Sequence, residues 1–191
     1  MKSLEAHGDY PDKVYRVLDT VEYAEQFIDG IFRIGSVYHY KNHEDEKRRD
    51  KSEGEAHILY KGMNRHSMFA SNISYILSCY KSLELAKKSK KGDFIIEINN
   101  PKQLAINITT WLEKQDYKVY GGIEGVNVEY SYGEESNNNP TTYELSRLTY
   151  SQKPNSFRND EEFRFVFIRE SCKDNFIYIE LGETQEFCKI I

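Results

Sequence analysis

An α+β fold, an antiparallel-rich mixed sheet with two or three packed helices, is the class this sequence predicts. Three observations carry that prediction. Phe163, Phe165 and Phe167 fall at alternate positions, with Glu162, Arg164 and Val166 on the other side, the period-two signature of a strand with one core-facing side. Further short runs rich in β-branched and aromatic residues, bounded by turn residues, predominate in the second half of the chain. Between them, apolar residues recur at helical spacing behind capping residues. At 191 residues the chain suits a single domain over 1–191.

Taken in order, Val14-Tyr15-Arg16-Val17-Leu18 is the first strand. Thr20 caps a helix whose face is Val21, Ala24, Ile28 and Ile31, and Gly30 stops it. Arg16 sits inside the apolar strand; exposed, it needs no partner, but buried, it needs an anion. Phe32 to Tyr40 reads as extended. Lys41 to Glu55 is almost wholly charged and reads as a solvated loop or exposed helix, in a position to serve as a lid. Ala56 to Tyr60 and Met68 to Asn72 read as strands around a turn at Gly62 to His66. Ile73 to Lys88 has helix-like spacing and runs into the basic patch Lys87 to Lys91, suited to a helix C-terminus.

Phe94 to Ile98 is the clearest strand. Asn100-Pro101 then opens a helix with Leu104, Ile108, Trp111 and Leu112 on one face. Lys118 to Tyr120 and Gly125 to Tyr130 read as strands around a bend or bulge at Gly121-Gly122. Gly133 to Thr142 reads as a loop and Tyr143 to Tyr150 as a short helix. Phe163 to Ile168 and Phe176 to Leu181, with Asp174-Asn175 between them, are expected to pair as an antiparallel hairpin.

Composition narrows the function. The apolar fraction, 39%, is low for a globular chain, while 15 tyrosines leave many phenols to line a surface or pocket. A net charge of −5 argues against a broad nucleic-acid footprint, though not against a local basic groove. Cys79, Cys172 and Cys188 are odd in number and widely spaced, so no disulfide framework or metal-ligand spacing is implied, and a reducing cytoplasm is expected. The polar start and the lack of a long apolar run predict no signal core and no membrane span. No phosphate-cradling glycine loop, His-Glu-x-x-His zinc pair or Gly-x-Ser-x-Gly elbow is present.

What remains centres on Asp160-Glu161-Glu162-Phe163-Arg164. Alternation puts Asp160, Glu162 and Arg164 opposite the phenylalanines, so charge lies beside a large apolar surface. This is either a solvated ion pair or a site that holds a cation-like species. The parts, in order, are an arginine in Val-Tyr-Arg-Val, a serine in Phe-Ala-Ser-Asn, and a late-strand glutamate.

That order resembles the ADP-ribosyltransferase fold of bacterial toxins and phage-defence effectors. The resemblance implies an ADP-ribosyltransferase-like domain with NAD as substrate and no metal. It places Tyr15, Arg16, Tyr38, Tyr40 and Ser71 at the NAD. Glu162 is then the essential acid, with Asp160 in the place of the first acid of a Glu-x-Glu pair and Arg164 holding Glu162 ionised. Implied partners are a macromolecular acceptor, nucleic acid or protein, and a neutralising antitoxin. The chain departs from the family pattern in lacking a Ser-Thr-Ser and in having Asp160 where Glu or Gln is common. Two other classes compete: a non-catalytic module sensing a nucleotide or a phage protein, and a Mg²⁺ nuclease using Asp160, Glu162 and Asp50 or Glu53.

Overall fold

The structure, a computed structural model, describes residues 4–42, 51–60, 65–71, 73–89, 91–115, 117–130, 135–136, 141–170, 174–182 and 184–191. In chain order its elements are β1 (Glu5–Gly8), β2 (Val14–Leu18), α1 (Val21–Ile28), β3 (Ile31–Ser36), α2 (Val37–Lys41), β4 (Glu55–Tyr60), β5 (Arg65–Ala70), β6 (Ser74–Tyr80) and α3 (Leu83–Lys88). They continue with β7 (Phe94–Ile98), α4 (Pro101–Lys114), β8 (Val119–Asn127), β9 (Glu135–Ser136), α5 (Thr142–Ser151), a 3₁₀ turn (Asn155–Asp160), β10 (Glu162–Arg169), β11 (Phe176–Glu180) and β12 (Cys188–Ile190).

The main sheet runs β1-β8-β10-β6-β2-β7-β12, with β3 and β11 branching from β6, and β5-β4-β9 form a separate small sheet. Pairing in the main sheet is antiparallel except for β1 against β8. The expected mixed α+β class with an antiparallel-rich sheet is therefore what the chain forms, with five α-helices among the described residues rather than two or three. No helix among the described residues is long and apolar enough to cross a membrane.

Strand β10 lies between β6 and β8, and its two faces obey the alternation in the sequence. Phe163, Phe165 and Phe167 are fully buried in the main core with Phe27, Leu104 and Ile108. The opposite face carries Glu162, Arg164 and Val166, the last packed with Val37, Ile76, Val126 and Tyr150. Helix starts are also as the sequence predicts. The Thr20 side chain accepts from Tyr23 N–H, and the Asn100 side chain from Gln103 N–H with Pro101 in the first turn.

Several expectations are corrected. Ile73 to Lys88 is not one helix: Ser74–Tyr80 is a central strand and only Leu83–Lys88 is helical. A strand buried on both faces has no alternation, so its apolar run mimics a buried helix. β10 and β11 form no hairpin; β11 pairs with β3, because both edges of β10 are already taken by β6 and β8. Phe32 to Tyr40 is extended only to Ser36, whose side chain then caps α2. Ile31 belongs to β3 and is exposed, and Phe27 takes its expected place in the core face of α1. Val119–Asn127 is one strand rather than two, and the irregularity expected at Gly121-Gly122 falls inside it: Val166 and Ile168 pair with Glu124 and Tyr120, so the register against β10 shifts across the two glycines, both at positive φ. Of the charged run 41–55, residues 43–50 lie outside the described residues, Asp50, Arg48 and Arg49 among them, as do Cys172 and most of the 133–142 loop.

Candidate active site

The sheet forks at β6. Near its start, Tyr75 and Ile76 pair with Ser36 and Gly35 of β3; at its end, Tyr80 pairs with Tyr15 of β2. Between these points Leu77, Ser78 and Cys79 have no register partner on that edge among the described residues. A strand carbonyl left unpaired in the interior must find another donor. Arg16 supplies it for Ser78, with Nη1 donating to the carbonyl at 2.6 Å. The Tyr40 hydroxyl does the same for Ile76 at 3.2 Å. Gly35 makes room for that ring, since a Cβ there would run into Tyr40.

The fork holds a cavity of about 280 Å³. One end is charged: Arg16, Ser78, Glu162, Lys153, Glu53 and Lys91 line it. The other end is aromatic, formed by Tyr23, Phe176 and Tyr178 around Arg33, whose guanidinium lies 4.5 Å from the Phe176 ring centre and 5.5 Å from that of Tyr23. Arg16 Nε is buried and has no hydrogen-bond partner. A permanently charged guanidinium with an unused buried donor beside a cavity is suited to an anionic ligand.

Behind the charged end lies a buried network. Arg164 is fully inaccessible and Glu162 only 4% exposed. Arg164 Nε donates to Glu162 Oε2 at 3.0 Å, and Lys153 Nζ donates to Glu162 Oε1 at 3.1 Å. Arg164 Nη1 and Nη2 donate to the two oxygens of Glu53, each at 2.8 Å, and Nη1 also to the Tyr150 carbonyl at 2.7 Å. Two carboxylates and two cations thus balance in the interior, which is what makes burial of all four tolerable. Burial pulls the Glu162 carboxyl up, but Lys153, Arg164 and Lys91 more than offset this and hold it well below the usual carboxylate range. Burial disfavours the Arg164 charge, and Glu53 and Glu162 outweigh it, raising its pKa. The Tyr130 hydroxyl, which accepts from Glu162 N–H at 2.9 Å, is pushed up to about 12 by burial and stays protonated.

The residues singled out in the sequence divide into those brought together and those kept apart. Arg16, Tyr40 and Glu162 wall the same cavity. Arg164 sits behind Glu162 and does not line it. Asp160 lies in the 3₁₀ turn, 3.7 Å from Lys91 Nζ. Glu161, left-handed at φ +41°, is exposed, so of the two adjacent acids it is Glu162 that faces inward. Tyr15 packs with Val17, Tyr80, Ala86 and Ile95 and does not itself line the cavity. Tyr38 is exposed and outside that wall. Ser71 also lies outside it; its backbone N–H donates to the Gly54 carbonyl at 2.8 Å and braces the turn that carries Glu53.

Ser78 was hidden in the stretch read as a helix, and Lys153 carried no local signal beyond its proline neighbour. Glu53 stood out only as a candidate metal ligand. Among the described residues, no group of three or more His, Cys, Asp or Glu side chains could hold a metal ion. No protein-family model, curated protein or solved structure matches this chain.

Proposed function

We propose that this chain is an NAD-dependent ADP-ribosyltransferase, a toxin or anti-phage effector acting on a macromolecule, nucleic acid or protein. One observation carries the reading: Arg16 of β2 and Glu162 of β10, far apart in sequence, flank β6 and open onto the same cavity. The resemblance asks for a first-strand arginine, a middle-strand serine and a late-strand acid. The middle strand in space is β6, so Ser78, which lines the cavity, takes the serine's place rather than Ser71.

The chemistry follows from the charges. As the bond from nicotinamide nitrogen to ribose C1′ breaks, its electron pair leaves with nicotinamide and C1′ becomes oxocarbenium-like. An ionised carboxylate held beside the reacting carbon stabilises that charge. Glu162 is held ionised, and Oε1 accepts from Lys153 with a second acceptor position left for a ribose hydroxyl. A carboxyl held so acidic is a poor proton acceptor, so its role is electrostatic and orienting, and the proton released by the acceptor passes to solvent. Arg16 Nε is the donor for a diphosphate oxygen, and Tyr40, its hydroxyl tied to Ile76, presents a fixed ring for nicotinamide to stack on.

The balanced pairing of Glu162 also suits a non-catalytic nucleotide-sensing module, the second reading. The nuclease reading fits less well, because Glu53 and Glu162 already share Arg164 where they would have to share a magnesium ion. The deciding experiment is incubation of the protein with NAD⁺ and chelator, with and without cell lysate, following nicotinamide release and labelled macromolecules. Label lost in Glu162→Gln supports the transferase, and its removal by nuclease or protease names the acceptor class. Nicotinamide release without label means a hydrolase. NAD⁺ binding without turnover means the sensing module.

A further inference from the structure

We propose that Glu53 is the positioning residue for Glu162, acting through Arg164; its catalytic consequence rests on the transferase reading. A guanidinium has five N–H donors in two distinct edges, an end-on fork of Nη1 and Nη2 and a side edge of Nε and Nη2. Glu53 fills the end-on fork with both of its oxygens at 2.8 Å. The Tyr150 carbonyl takes a further Nη1 proton. Only the side edge is left, and Glu162 Oε2 occupies it, 3.0 Å from Nε and 3.0 Å from Nη2.

Glu162 is thereby confined to one oxygen's worth of Arg164. Its other oxygen, Oε1, stays with Lys153 on the cavity side. With the fork vacant, the same carboxylate would satisfy two buried donors by swinging end-on, and Oε1 would leave its place at the cavity. Glu53 also contributes the second negative charge that balances Arg164 and Lys153. It is delivered by the turn 51–54, fixed by Gly54 at φ +79°, where a Cβ would strike the Ser71 carbonyl and Val37. The turn that leads into the small sheet at Glu55 thus carries a side chain of this buried network.

The test uses Glu53→Gln and Glu53→Asp in the full chain. In Glu53→Gln, a crystal structure is expected to show Glu162 turned onto Nη1 and Nη2. Its kcat for nicotinamide release is expected to fall about 10²-fold, with KM for NAD⁺ within about threefold. Glu53→Asp keeps the charge but is one methylene short of the fork, and is expected to lose about tenfold in kcat. A folded Glu53→Gln protein with Glu162 unmoved, or Glu53→Asp with wild-type kcat, overturns the proposal, the second whether or not Glu53→Gln folds. If the wild-type protein releases no nicotinamide, the transferase reading falls, while the Glu162 position in Glu53→Gln still decides the role of Glu53.

Discussion

Two glutamates are buried in neighbouring strands of the main sheet, on the same face, and they do different things. Glu124 of β8 accepts from Arg147 Nε at 2.6 Å and from the Tyr150 hydroxyl at 2.7 Å. Glu162 of β10 accepts from Arg164 and Lys153. Arg147 is part-exposed, with its side chain 39% accessible, whereas the Arg164 and Lys153 side chains are 0% and 7% accessible. Only Glu162 reaches the cavity. Tyr150 touches both groups, its hydroxyl on Glu124 and its carbonyl on Arg164. Burial of a charge is therefore no mark of a site; what separates these two is an opening beside one of them and fixed cations behind it.

The comparison breaks most visibly on activity. Glu162→Gln is expected to lower nicotinamide release by about 10²–10³-fold, and Glu124→Gln to leave it within about threefold, measured side by side on folded protein. Equal losses in the two variants would make the carboxylates equivalent and remove the site. Stability gives the next contrast. Arg164→Leu strands two buried carboxylates and is expected to cost about 3–5 kcal/mol in urea unfolding. Arg147→Leu, at a part-exposed pair, is expected to cost no more than about 1 kcal/mol.

Acid sharpens the same difference. The folded-state pKa of Glu162 lies below its ordinary value of 4.5, so the stability it contributes is fully present above that value and is lost as pH falls toward the lowered one. Thermal midpoints recorded from pH 6 downward are expected to decline below about pH 4.5 in wild type, and to decline less steeply in Glu162→Gln. A parallel decline in both would mean that Glu162 titrates alike folded and unfolded. The smallest effect on activity is expected from Tyr150→Phe. It removes one hydrogen bond to a buried carboxylate, about 1.5–3 kcal/mol by urea unfolding, yet keeps the carbonyl on Arg164 and so the activity.

The sequence was legible where a pattern is local. Three phenylalanines at alternate positions placed β10 and both its faces, and Thr20 and Asn100 placed two helix starts. Arg16 and Glu162 stood out as charges set in apolar strands, and both line the cavity. What stayed hidden is what depends on distant partners. The Glu53–Arg164 pair spans 111 residues of sequence, and no spacing announces such a contact. The expectation for strand β6 fails because both its faces are buried, so Ser78, which lines the cavity, carried no signal of its own. The pairing of β11 with β3 follows from β10 being hemmed in by β6 and β8, which periodicity within a strand does not encode.

The place of β10 in the sheet has a consequence for how this protein comes into being. Synthesis lays down β2, β6 and β8 well before it, yet β10 is the strand that joins β6 to β8. A nascent chain that ends at the 3₁₀ turn has Arg16, Ser78, Glu53 and Lys153 but neither Glu162 nor its guanidinium partner, and the sheet is still in two pieces. Assembly of the fold and assembly of the site are then one late event, governed by contacts between distant parts of the chain.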